Sequence, residues 1–360
     1  MKRDDIVQST PYLAERGVLQ GFPKIELHRH LEGTFAVPTL FRIARRNGLD
    51  VPETIEAFKR VVQFPKDSEP DFLKFLSKFK NDWYRSLDDV SEIAYESIAA
   101  FKDEGIFYIE VRFSPEHFAE KNGFDRKEVT RLIVAAGNEA ARSGNFTVRY
   151  LITFNRSKQT EEEMLQLYHD LRTLDIAEIV GVDLAGDETN YPPELFTGFF
   201  DRVSKDGRFQ STIHAGEVSP PSQIWAAIRT LNADRIGHGT SAIQDPELQQ
   251  FLTDHGVVLE QCITSNYQTG SWIDEANHPL GALYRSDVPV TINSDDPFIQ
   301  DTELTDDYVK AVRYFDLTLE DLVALNETAL DGAFLSDDER RSMSGRYRQA
   351  VRRFREQTGL

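Results

Sequence analysis

Apolar residues recur along this chain in two periods. Short runs at 24–27, 108–112, 148–152, 179–183, 211–213, 235–236, 257–259 and 289–292 are rich in β-branched and aliphatic residues and read as eight strands. The stretches between them place apolar residues every three or four positions and read as helices. Four helix starts carry a capping residue with an acid three positions on: Asp125 with Glu128, Thr160 with Glu163, Thr318 with Asp321 and Ser336 with Glu339. Strands spaced by roughly 25 to 40 residues with helices between them are parallel βαβ units, and eight such units close a TIM-type (β/α)8 barrel. The interval between the first two strands is about twice as long and predicts a helical insertion over about 36–104. Within it Phe72, Phe75, Leu76, Phe79 and Trp83 fall at helical spacing, as a helix packed on the core or covering a pocket. Past Pro297 the pattern returns to helix and ends in a basic amphipathic stretch, 340–355, expected to be a solvated helix face. No linker, repeat or low-complexity segment intervenes. Residues 1–360 are therefore expected to form a single α/β barrel domain with extra C-terminal helices.

In such a barrel the chemistry sits at the C-terminal ends of the strands. The first strand runs into His28 and His30, which share a side because strand side chains alternate with a period of two. The fourth ends in Asp183, the fifth in His214-Ala215-Gly216-Glu217, the sixth in Gly237-His238-Gly239, and the eighth in Asn293-Ser294-Asp295-Asp296-Pro297. His28, His30, His214 and one aspartate of the Asp295/Asp296 pair form a nitrogen and oxygen donor set without thiolate, which suits Zn²⁺. Glu217 is a candidate proton donor or acceptor, and His238 can orient or deprotonate a water. The remaining four histidines, His117, His169, His255 and His278, fall in helices or loops and read as surface or structural.

Charge narrows the partners. Sixty acidic against 41 basic residues leave a formal charge of −19, which repels nucleic acid and anionic membrane surfaces. Cys262 is the only cysteine, so no internal disulfide forms and nothing argues for an oxidising compartment. The start, Met1-Lys2-Arg3-Asp4-Asp5, leads into mixed polar residues, and no apolar run approaches the ~20 residues that span a bilayer. A soluble, unexported, cytoplasmic protein is expected, with no expectation for its oligomeric state.

Taken together, the motifs resemble the adenosine deaminase group of the metal-dependent amidohydrolases. Residues 23–33, from Pro23 through His28-Arg29-His30-Leu31-Glu32-Gly33, look like its opening motif. Val111-Arg112-Phe113-Ser114-Pro115, Gly181-Val182-Asp183-Leu184-Ala185-Gly186-Asp187-Glu188, His214-Ala215-Gly216-Glu217, Arg235-Ile236-Gly237-His238-Gly239-Thr240, Thr264-Ser265-Asn266 and Asn293-Ser294-Asp295-Asp296-Pro297 follow in the family's order, over about residues 20–345. The resemblance implies one Zn²⁺ per chain held by His28, His30, His214 and Asp295. It also implies that Glu217 protonates N1 of a purine, that His238 assists and orients the attacking hydroxide, that Asp296 holds it and contacts N7, and that the Gly186 backbone bonds N3. His30 and Glu32 would also face the substrate, a small purine.

Which purine is implied is less sharply drawn. Glu32 stands where adenosine-specific members more often carry aspartate for the ribose, and glutamate there also occurs in adenine-specific relatives. The segments around Val111 and Asp183 look like the adenosine enzymes. Adenosine or 2′-deoxyadenosine, giving inosine or 2′-deoxyinosine and ammonia, is the leading expectation, with aminodeoxyfutalosine and then free adenine behind it. Arg29 and Ile263 are unusual at their positions. Two rivals from other classes are an amide- or ester-cleaving hydrolase on the same barrel and a non-catalytic purine-binding protein. Two-metal hydrolases usually carry a bridging lysine or glutamate, and no lysine stands at a strand end after the first.

Overall fold

Each apolar run becomes a strand, and the strands pair in sequence order. The computed structural model describes residues 11–65 and 68–360; the polar segment 1–5 lies outside them. The strands are β1 (Lys24–His30), β2 (Ile106–Phe113), β3 (Thr147–Asn155), β4 (Ile179–Ala185), β5 (Gln210–Ala215), β6 (Arg235–His238), β7 (Val258–Gln261) and β8 (Val290–Ile292). All seven neighbouring pairs are parallel, in the order β1 to β8. The last gap is bridged just past β8, where the Asp295 N–H donates to the His28 carbonyl and the His30 N–H to the Asp295 carbonyl, both at 3.0 Å. The result is a nearly closed (β/α)8 barrel. Its strands are buried almost throughout, because helices cover the outer face and side chains fill the interior.

The four expected caps all form: Asp125, Thr160, Thr318 and Ser336 each accept the backbone N–H three residues on, and the last three complete reciprocal capping boxes. The final helix, Asp337–Thr358, buries Met343, Tyr347 and Val351 against β1 and β2 and Phe354 against Phe22, while most of its arginines face outward. Among the described residues no helix is long and apolar enough to cross a membrane.

The insertion is helical as expected, but its aromatic stripe is broken. The helix there is only Phe72–Leu76, capped by Asp71. It stops where the Ser77 hydroxyl takes the Lys74 carbonyl, and just beyond it the Lys78 ammonium ties the chain to the Val61 carbonyl of the helix Ile55–Val62. Phe79 leaves the helix but stays beside the barrel mouth. Trp83 packs separately in the core, edge-on to Phe58 at 5.6 Å.

Arg29, between the two histidines, points the other way, as the strand alternation requires. It is fully buried, forks onto Glu104 at 2.9 and 2.8 Å, and reaches Ser294 Oγ at 2.8 Å and Glu26 at 3.0 Å over the Phe101 ring. It thereby ties β1 to the end of the insertion and to the loop after β8. Removing one member of a buried charge pair leaves the other unpaired, which destabilises by about 3–5 kcal/mol. Glu104→Ala is expected to lower stability by that amount in urea unfolding, and Arg29→Met combined with Glu104→Leu to lose distinctly less than Glu104→Ala.

Candidate active site

At the C-terminal mouth the ends of β1, β5 and β8 bring His28, His30, His214 and Asp295 together, their donor atoms all within 4.8 Å of one another. His28 Nε2 lies 3.2 Å from Asp295 Oδ1, His30 Nε2 lies 3.5 Å from the same oxygen, and the Nε2 atoms of His30 and His214 face each other at 3.2 Å. The far nitrogens decide what this means. His28 Nδ1 meets Glu260 Oε2 at 2.7 Å and His214 Nδ1 meets Asp183 Oδ1 at 2.9 Å. A carboxylate can only accept, so these Nδ1 atoms carry the protons and the Nε2 lone pairs converge on one point. His28 Nε2 is buried with no hydrogen-bond partner. The lone pairs of His28 and His214 converging beside His30 and the Asp295 carboxylate fit a cation, and the all-N/O donor set fits zinc.

A second layer holds these rings. Arg112 from β2 donates to Asp183 at 3.1 Å, to Glu260 at 2.7 Å and to the Leu27 carbonyl at 2.6 Å. Arg235 pairs with the other Glu260 oxygen at 2.7 Å, and Thr212 reaches it at 3.0 Å. Despite full burial, which opposes ionisation, Arg112 and Arg235 hold Glu260 well below the usual carboxylate range, and His214 and Arg112 do the same for Asp183. Ser265 donates to Asp295 Oδ2 at 2.6 Å, which leaves Oδ1 toward the histidines.

Glu217 and His238 stand beside this cluster, 3.7 Å apart, with His238 Nε2 3.8 Å from Asp295 Oδ2. Burial, then the charges of Asp295 and Glu188, push the Glu217 carboxyl well above its ordinary range, which favours its acid form. Burial lowers His238 well below the usual imidazole value and keeps it neutral. Its ring is oriented by Asn266 Nδ2, 3.2 Å from Nδ1, and Asn266 is held in turn by His278 at 2.9 Å. Both His238 (φ 58°) and Asp295 (φ 62°) occupy left-handed backbone that non-glycine residues rarely adopt, strain of the kind found at functional sites. Asp296 is likewise buried, its acid form favoured by burial and by neighbouring Asp295, with Oδ1 unpartnered. Gly33 makes room for it: a Cβ there would lie 1.7 Å from Asp296 Oδ1.

These groups form the floor of a cleft with about 990 Å³ of free space, its mouth included. Phe72, Phe75, Leu76 and Phe79 make one apolar wall, while Glu32, Asn155, Gly186, Thr269 and Asp296 add polar points. All nine residues expected in the site thus gather here: the four donors, Glu217, His238, Asp296, Glu32 and Gly186. Glu260 escaped notice because the strand reading 257–259 stopped one residue short of it; a lone carboxylate in an apolar barrel strand was the available signal. Two of the four histidines set aside as surface or structural belong here. His278 positions Asn266 and is structural, but His117 lines the cleft; His169 is exposed and His255 stacks on Phe251.

Comparison with known proteins gives the same picture. The family described as adenosine deaminase matches residues 23–349. An adenosine deaminase of Serratia proteamaculans is 34% identical over 331 residues, covering 91% of this chain and 98% of that protein. One of Edwardsiella ictaluri is 35% identical over 324 residues, covering 89% and 96%. Among solved structures, an amidohydrolase from Burkholderia ambifaria with bound zinc superimposes with a TM-score of 0.87 at 23% identity, covering 96% of this chain and 95% of that one. An adenine deaminase from Arthrobacter aurescens gives 0.83 at 24%, covering 92% and 99%.

Partners behind metal-binding histidines typically set affinity by 10- to 100-fold. Glu260→Gln and Asp183→Asn, which leave every donor in place, are each expected to weaken zinc binding by about that factor in chelator competition, and His214→Ala to abolish it.

Proposed function

The chain belongs to the adenosine deaminase family, and we propose that it is a zinc-dependent hydrolase that removes the 6-amino group of a purine nucleoside, adenosine or 2′-deoxyadenosine, to give inosine or 2′-deoxyinosine and ammonia. The observation that carries this reading is the side-by-side placement of the buried Glu217 carboxyl and a converging His28/His30/His214/Asp295 donor set on the floor of a half-apolar cleft. Bound there, zinc supplies Lewis acidity, the property that lowers the pKa of a ligated water from ~15.7 toward ~7.

The residues divide the remaining work. An aromatic amine leaves poorly until its ring is made electrophilic, and Glu217 does this by giving its proton to N1. C6 then accepts the oxygen of water. His238, whose Nδ1 accepts from Asn266, turns its Nε2–H toward that oxygen and orients it. The Glu217 carboxylate left by the transfer to N1 passes one water proton to N6 and keeps the other, which restores its acid form and leaves a carbonyl at C6. The C6–N6 bond breaks as N6 gains its proton, and ammonia leaves. Asp296 in its acid form donates to N7, and the Gly186 backbone meets N3. The apolar wall of Phe72, Phe75, Leu76 and Phe79 excludes water from the purine faces, and His30 and Glu32 border the sugar side. The whole chain acts as one barrel domain.

Because the donor is the protonated carboxyl, turnover is expected to fall as pH rises through the Glu217 pKa and to be sustained below it. Glu217→Gln is expected to keep its zinc and lose about 10²- to 10⁴-fold in kcat, with no such pH limb. An absorbance assay of ammonia-releasing turnover on adenosine, combined with metal analysis, checks both. Near-normal turnover in the variant would remove Glu217 from the proton-donor role.

A further inference from the structure

Past the base-binding floor, the cleft carries a polar group that deamination does not use. His117 lies in the short helix Pro115–Ala119, whose cap Ser114 accepts the His117 N–H while the Ser114 N–H donates to Glu32 Oε1 at 2.6 Å. One short stretch of backbone thus fixes both Glu32 and His117. Their exposures are 6% and 8%, both line the cleft, and each holds a buried atom without a hydrogen-bond partner, Oε2 of Glu32 and Nε2 of His117. Burial, aided by Lys158, lowers the His117 pKa to about 3, so its ring is neutral and offers one N–H donor and one acceptor. Buried polar atoms in folded proteins nearly always find a partner, and in the wall of an open cleft a bound ligand is positioned to supply it.

The proposed deamination narrows that ligand. N1, N3 and N7 of the purine are taken by Glu217, Gly186 and Asp296, so only the substituent on N9 remains to meet Glu32 and His117. Among the described residues Lys158 is the sole lysine or arginine lining the cleft, against the carboxyl groups of Glu32, Glu116 and Glu120. A phosphate, which calls for several charge-assisted donors, is poorly served. We propose that His117 is a specificity residue that hydrogen-bonds a sugar hydroxyl on the N9 substituent, so that the enzyme takes neutral nucleosides in preference to the free base or the 5′-phosphate. This rests on the deaminase reading above.

The test is steady-state kinetics of wild type, His117→Phe and His117→Gln on adenosine, its 2′-, 3′- and 5′-deoxy analogues, adenine and AMP. His117→Phe is expected to raise KM for adenosine roughly tenfold with kcat within about twofold, the effect of one hydrogen bond lost from binding. His117→Gln, which keeps a donor and an acceptor, recovers most of that loss. The deoxy analogue lacking the recognised hydroxyl shows no KM change with His117→Phe. An unchanged KM for adenosine in variants with wild-type melting temperature and zinc content overturns the inference, as does an equal loss on every substrate including adenine. Wild type that prefers adenine or AMP also overturns it while leaving deamination standing. Wild type that deaminates none of the six rejects the proposed function itself, and the inference with it.

Discussion

The site depends on a buried charge balance beneath its floor. Asp183, Glu260 and Glu110 lie inside the barrel with Arg112 and Arg235, all essentially without solvent contact. Burying charges is expensive unless each is paired and its hydrogen bonds are filled, and here nearly every carboxylate oxygen has a partner: Glu110 alone accepts from Tyr108, Arg235 and the Phe334 N–H. Three carboxylates against two guanidiniums still leave a negative excess, and Asp295 deepens it. A divalent cation at the donor set offsets the two negative charges by which these four carboxylates exceed the two guanidiniums. Electrostatics and donor geometry thus favour the same occupant.

Distance along the chain is what the barrel removes. His28, Asp183, His214, Glu260 and Asp295 come from β1, β4, β5, β7 and the end of β8, and strand pairing sets their heights: His214 is level with Gly237, and Asp183 with Thr212. A parallel barrel gives every strand end the same direction, so groups far apart in sequence converge without any loop having to fold over them. Gly237 matters in this register, since a Cβ there would lie 3.0 Å from the His28 ring.

Much of this was legible in the sequence, for physical reasons. Strand runs buried on both faces stand out, caps announce helix starts, and histidines at strand ends are conspicuous because barrel chemistry collects there. The aromatic stripe of the insertion misled because spacing alone cannot show where a side chain such as Ser77 captures a carbonyl of the last helical turn. Glu260 was hidden inside a strand that otherwise reads as core, and its worth lies wholly in partners 25 to 232 residues away. His117 looked like an ordinary helix residue; only the tertiary fold turns that helix toward the cleft and withholds a partner from its ring.

The unusual Arg29 belongs to the same logic. β8 ends at Ile292, so the seam with β1 is completed by side chains: Asn293 Oδ1 accepts the Leu27 N–H at 3.0 Å, and Glu26 accepts both the N–H and the hydroxyl of Ser294. These contacts let the backbone turn into the left-handed conformation that aims Asp295 inward. Arg29 braces the arrangement from outside by gripping Ser294 and Glu26 together with Glu104. The residue between the two histidines therefore acts on the metal site through the wall of the barrel, by fixing the turn that presents the fourth donor.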